Sequence, residues 1–176
     1  MHGKRESENV PMNNPTTVER KSERELVITR TFNGPARIVF EAWTTPELLM
    51  KWWTPKSFGI TFISCEADVR TGGTYRFVMG HPAFDKPMAF FGRYLEVDPP
   101  KRLVWTNEEG GEGEEGSVTT VTFEEKDGKT HLVLSDLYPS KAALDEAMAS
   151  GSIGGYPEQF DQLDILLAGS PEARSA

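Results

Sequence analysis

The chain has 176 residues, with 27 Asp and Glu against 19 Lys and Arg, so its formal net charge is −8. A surface this acidic, with no basic block, argues against a nucleic-acid partner and disfavours an anionic membrane surface. Hydrophobic residues make up 38%, which suits one soluble domain, yet no apolar run is long enough to span a bilayer. Cys65 is the only cysteine and the N-terminus has no apolar signal core, so the expected compartment is the cytoplasm.

Residues 1–22 are polar, contain Pro11 and Pro15, and show no apolar period, which predicts a disordered tail. Residues 25–32 read as a strand with Leu26, Ile28 and Phe32 on one face. Asn33-Gly34-Pro35 breaks it and opens a helix whose apolar face is Ile38, Val39, Ala42 and Trp43. Thr45-Pro46-Glu47 restarts a second short helix, with Thr45 as its cap, ending at Trp52-Trp53-Thr54-Pro55. Strands are then expected over 59–69, 74–79, 88–97, 102–106, 118–125 and 130–137. Gly92 interrupts the third of these, and Asp98-Pro99-Pro100-Lys101 is a turn. Lys126-Asp127-Gly128-Lys129 carries the Asp-Gly hairpin signal.

Ser140 is placed to cap a helix over 141–149, and Gly151, Gly154 and Gly155 form a joint after it. Those glycines suggest a gate beside the last helix. That helix starts with Pro157 in its first turn, stops at Gly169 as a left-handed terminator, and is barred from continuing by Pro171. Tyr156, Phe160, Leu163 and Leu167 recur at i, i+4, i+7 and i+11 and share a face, with Asp161 and Asp164 off it. Its length of roughly 18 Å matches the width of about four to five strands. The order predicts an α+β domain over 23–169 with a short tail at 170–176. Hairpin-length links make its sheet of about six to seven strands largely antiparallel. The last helix must cover that sheet, and a curved sheet closing on a helix leaves a concave site for a small ligand.

Arg30 to Trp53, Asp68 to Met79, Tyr94 to Trp105 and Gly154 to Leu163 together resemble the START-like, or SRPBCC, domains. The branch they resemble is the one similar to activators of the heat-shock-protein-ninety ATPase. The resemblance covers about Glu23 to Ala168 and implies a helix-grip fold, a curved sheet around a long C-terminal helix with a cavity between. Members usually have tryptophan where this chain has Tyr156. The fold hosts binding proteins, cyclases and co-chaperone domains, and the resemblance carries no shared catalytic set.

Gly111-Glu-Gly-Glu-Glu-Gly116 fits G-x-G-x-x-G only as a string. A β-like segment follows instead of a helix, and its glutamates would repel a pyrophosphate. The run 106–116 reads as an acidic hairpin loop, without the spacing of a calcium loop. His2, His81 and His131 are far apart and no metal-ligand spacing occurs, so neither metal nor cofactor is expected. Cys65 reads as a small buried hydrophobe. Glu66, Asp68 and Arg70 alternate along a strand, either for acid–base work or as a surface ion pair.

The aromatic residues carry more. Trp53, Tyr75, Phe77, Phe91, Trp105, Tyr156 and Phe160 are the expected cavity wall. Arg76 or Arg93 would be the polar anchor if strand register turned one inward. The expected function is binding of a small hydrophobic ligand, lipid-like or aromatic, without assigned catalytic residues. The alternatives are a cyclase or dehydratase using Tyr75, Arg93 or Glu66 on a polyketide-like substrate, and an interaction module with a chaperone-like protein partner.

Overall fold

The structure, a computed structural model, describes residues 14–108 and 116–169. Most of the expected N-terminal tail, most of the acidic loop, and residues 170–176 with Pro171 lie outside the described residues. The strands are β1 (Thr17–Arg20), β2 (Glu25–Phe32), β3 (Thr61–Ala67), β4 (Thr74–Gly80), β5 (Met88–Asp98), β6 (Arg102–Thr106), β7 (Val118–Lys126) and β8 (Lys129–Leu137). The helices are α1 (Ala36–Thr44), α2 (Pro46–Trp52), α3 (Lys141–Ser150) and α4 (Tyr156–Ala168). One 3₁₀ turn, Lys56–Phe58, follows α2, and another, Ser152–Gly155, leads into α4.

All eight strands form one sheet in the order β1-β2-β8-β7-β6-β5-β4-β3, and every neighbouring pair is antiparallel. The strand beyond the expected six to seven is β1, within the stretch read as tail. It pairs with β2 from Thr17↔Thr29 to Arg20↔Leu26. Its residues are exposed or only part-buried, so it shows no apolar period. Backbone hydrogen bonds hold this edge strand, and side-chain patterning does not report those.

Alternation sets the inner face elsewhere. Leu26, Ile28, Arg30 and Phe32 are buried on β2, Val121 and Phe123 on β7, and Leu132, Leu134 and Asp136 on β8. The β7–β8 hairpin turns through Asp127 and Gly128, both with positive φ (55° and 76°), as a two-residue turn with right-handed strand twist requires. The sheet bends at β5. A Cβ on Gly92 would fall 2.0 Å from the Thr106 carbonyl oxygen, so only glycine lets β6 come that close. The β5–β6 register also shifts between Tyr94 and Glu96, which adds curvature.

Two helix boundaries differ from the expectation. Thr45 occupies the N-cap of α2 but its side chain makes no capping bond; Thr44, not Thr45, turns its hydroxyl back onto the Phe40 carbonyl. Gly169 ends α4 with φ −86°, not in the left-handed region, because its N–H closes onto the last-turn carbonyls of Leu166 and Leu167. Ser140 does cap α3, its Oγ accepting from the Ala143 N–H at 3.1 Å.

α4 lays Phe160, Leu163 and Leu167 into the core. Phe160 meets Phe32 edge to face at 5.5 Å between centroids. Beside this apolar face stands Arg30, whose side chain is 1% exposed. Its guanidinium donates to Asp161 at 2.8 Å, to Asp164, and to the Thr16 hydroxyl at 2.8 Å. Burial pushes the Asp164 carboxyl up, and the Arg30 guanidinium opposes that shift. The cluster ties the helix to the second strand of the sheet with a buried cation and two carboxylates.

Candidate ligand cavity

Between the first turn of α4 and the bent part of the sheet lies a cavity of about 450 Å³. A smaller chamber of about 100 Å³ continues it toward β4 and β5. Trp43, Trp53, Phe90, Trp105 and Asn107 line both. Trp53 sits 5.8 Å from Trp43 and 5.6 Å from Phe77 between ring centroids, edge to face in each case. Pro55, Phe58, Ile60, Ile153 and Gly155 also line the larger one.

Gly155 is packed tightly there. A Cβ on it would meet Phe58 and Pro55 at 3.0 Å, so its bareness lets the start of α4 approach the turn after α2. Two further ties fix that approach. The Ser57 hydroxyl donates to Glu158 at 2.5 Å, and Gln162 donates to the carbonyls of Trp52 and Thr54 at 3.0 and 2.9 Å.

One wall is polar, and its bonds run in one direction. The Tyr75 hydroxyl donates to the Thr106 carbonyl (2.8 Å) and to Asn107 Oδ1 (3.2 Å). The Asn107 amide nitrogen donates to the hydroxyls of Ser117 and Thr119, each at 2.9 Å. Thr119 donates to Asp136 Oδ1 at 2.5 Å, and Tyr156 donates to Asp136 Oδ2 at 3.0 Å. Asp136 is therefore where the chain of donors ends. It is 6% exposed, and burial pushes its carboxyl pKa up while the Thr119 and Tyr156 hydrogen bonds pull it down. Burial, with the Asp136 charge beside it, holds the Tyr156 phenol well above its ordinary value, so Tyr156 keeps its proton and acts as a donor.

The structure sorts the expected wall residues into two groups. Trp53, Tyr75, Phe77, Trp105 and Tyr156 line the chambers. Phe91 and Phe160 do not line them. Phe91 pairs with Arg76 across β4 and β5, and the guanidinium lies 5.8 Å over its ring. Its neighbour Phe90 takes the inward place, since successive strand residues face opposite ways. Phe160 is fully buried among Phe32, Trp43, Trp52 and Tyr156. Arg76 and Arg93 both point outward, Arg93 pairing with Glu108 at 2.8 Å. Glu66 is exposed, and Asp68 pairs with Arg70 on the surface.

Cys65 is half-buried, and burial pushes its thiol up to about 11, which suits a packing residue better than a nucleophile. Among the described residues no group of His, Cys, Asp or Glu is placed to hold a metal ion. No helix among them is long and apolar enough to cross a membrane.

Sequence reasoning missed Asn107, Thr119, Asp136 and Phe90. Asp136 had a legible signal. It continues the alternation of Leu132 and Leu134, and a carboxylate in phase with core leucines must face inward.

A model of the family described as Activator of Hsp90 ATPase homolog 1-like protein matches residues 33–168. Among solved structures, a protein from Rhodobacter sphaeroides is 25% identical with a TM-score of 0.77, over 87% of this chain and 97% of that one. A protein from Mycobacterium smegmatis is 27% identical with a TM-score of 0.73, over 88% and 98%. CalU16 from Micromonospora echinospora, at 21% identity, TM-score 0.58 and 92% and 89% coverage, shares the fold. No curated protein matches the chain.

Proposed function

The chain belongs to the Activator of Hsp90 ATPase homolog 1-like family, and from that premise we propose that it binds a small, mostly apolar ligand, aromatic or lipid-like, between sheet and C-terminal helix. The observation that carries this reading is the cavity of about 450 Å³ walled by Trp43, Trp53, Phe90, Trp105 and Tyr156. Its size falls within the roughly 300–1,000 Å³ of small-molecule sites. Its composition, apolar faces with a few convergent polar atoms, is the usual one for such sites.

The test is thermal shift of the full chain against fatty acids, flavonoids, polyketide-like aromatics and sterols. A ligand at about 100 times its Kd stabilises by roughly 2.7 kcal/mol, which moves Tm by a few degrees in a chain of this length. A panel in which no compound raises Tm overturns the reading.

A second reading, proton-transfer catalysis of the cyclase or dehydratase kind, is favoured by Asp136. A buried carboxyl with a raised pKa on a cavity wall is the environment that acid–base residues occupy. Arg93 and Glu66, which point away, have no part in it. Chemical turnover of a bound compound by the native chain, lost in Asp136→Asn, would establish this reading over simple binding.

A further inference from the structure

We infer that the ligand is an organic ammonium, an apolar body carrying one cationic nitrogen that sits against Asp136. This rests on the binding reading above and names the chemistry of the guest.

Asp136 is the one residue with a formal charge among the described residues lining either chamber. Its partners are two hydroxyl donors, Thr119 and Tyr156, one on each carboxylate oxygen. A carboxylate offers about four acceptor sites, so both oxygens keep capacity for a further donor. Arg30, on the same inner sheet face, shows how this fold treats a buried charge when it is structural. That guanidinium meets two carboxylates. Among the described residues Asp136 has no such counter-ion in its cavity, and an isolated buried charge is costly until one arrives.

The other walls suit the same guest. Trp43, Trp53, Phe90 and Trp105 offer aromatic faces that attract a cation lying within about 6 Å of a ring centre. The net charge of −8 also raises the local concentration of cations over anions around the protein.

The titratable groups facing Asp136 are Tyr156 from α4 and Tyr138 just past β8, which both line the cavity. The segment after β6 contributes Asn107, the residue before β7 Ser117 and β7 itself Thr119, all neutral, and β2 places Leu26 opposite Asp136. Among the described residues, no histidine, lysine or arginine lines the site to compete. Because an ammonium favours the ionised carboxylate, its affinity should rise with pH as Asp136 loses its proton. Burial moves that titration upward from the ordinary carboxylate range.

The experiment is calorimetric titration of the full chain with three shape-matched probes: 3-phenylpropylamine, 3-phenylpropanol and 3-phenylpropanoate. The amine should bind roughly tenfold or more tightly than the alcohol, and the carboxylate should bind worst. The amine-to-alcohol ratio should climb with pH as the carboxyl ionises, in a range above that of an ordinary carboxylate. Asp136→Asn should bring the amine-to-alcohol affinity ratio down to near one and remove its pH dependence. If the alcohol or the carboxylate binds as well as the amine, the ammonium inference fails and the cavity reading stands. If none of the three binds and the wider panel is also flat, both fail. Should Asp136→Asn not fold, the wild-type ratio and its pH profile decide alone, and a ratio near one, flat in pH, overturns the inference.

Discussion

The inner face of the sheet carries two buried charges that are handled in opposite ways. Arg30 on β2 is enclosed by Asp161, Asp164 and Thr16, with carboxylates from α4 supplying the opposite charge. Asp136 on β8 is equally hidden, yet hydroxyls are its hydrogen-bonding partners and a cavity opens beside it. The comparison separates a clamp from a site. Where a charge is matched within the fold, it fixes the fold. Where the matching charge is left out and space is left for it, the fold tolerates a cost that a ligand can relieve.

The largest test of that contrast falls on the clamp. Arg30→Ala strands the Asp164 carboxylate and unties α4, and should lower unfolding free energy by about 3–5 kcal/mol in urea denaturation. A loss below about 1 kcal/mol would show that the cluster holds nothing. Thr119→Val removes the shorter of the two donors to Asp136 and should cost about 1–3 kcal/mol. It should also move the Asp136 titration to higher pH, followed by carboxyl NMR, because a hydrogen bond to the ionised form has gone.

Asp136→Asn should have the opposite sign, a gain of about 0.5–2 kcal/mol at neutral pH. Burial raises the Asp136 pKa above its unfolded value, so the folded state holds the proton more firmly. The stability tied to that proton is complete at acid pH and is lost as pH rises through the folded pKa. The advantage of Asp136→Asn should therefore grow with pH in thermal melts, and a constant difference would contradict the assignment. The smallest effect belongs to Glu158→Gln. Glu158 sits at the exposed start of α4, where Ser57 hydrogen bonds hold its carboxyl low. The melting temperature should barely move at neutral pH.

Periodicity made most of the fold legible, and three kinds of feature were missed. The β7–β8 hairpin, the Ser140 cap and the buried face of α4 followed from spacing and turn chemistry. β1 did not, because an edge strand held by backbone bonds needs no apolar alternation. In the cavity, Trp53, Tyr75, Phe77, Trp105 and Tyr156 were accessible from the sequence as aromatics on elements that had to converge. Phe91 was misplaced because faces reverse with a one-residue change in register, and the close approach at Gly92 that fixes β5 against β6 is a three-dimensional fact. Arg30 and Asp136 were passed over for a different reason. Each interrupts an alternating apolar row, and a charged residue in a row of leucines is easily read as an exception when its phase makes it an instruction.

Tryptophan indole NMR tests the central claim most directly. The chain has four tryptophans. Trp43, Trp53 and Trp105 line the cavity, while Trp52 is fully buried with its indole donating to the Ala42 carbonyl at 3.0 Å. A compound that raises Tm should shift the indole N–H signals of the first three well beyond that of Trp52. Stabilisation that leaves the three cavity indoles in place would put the ligand elsewhere and contradict the account.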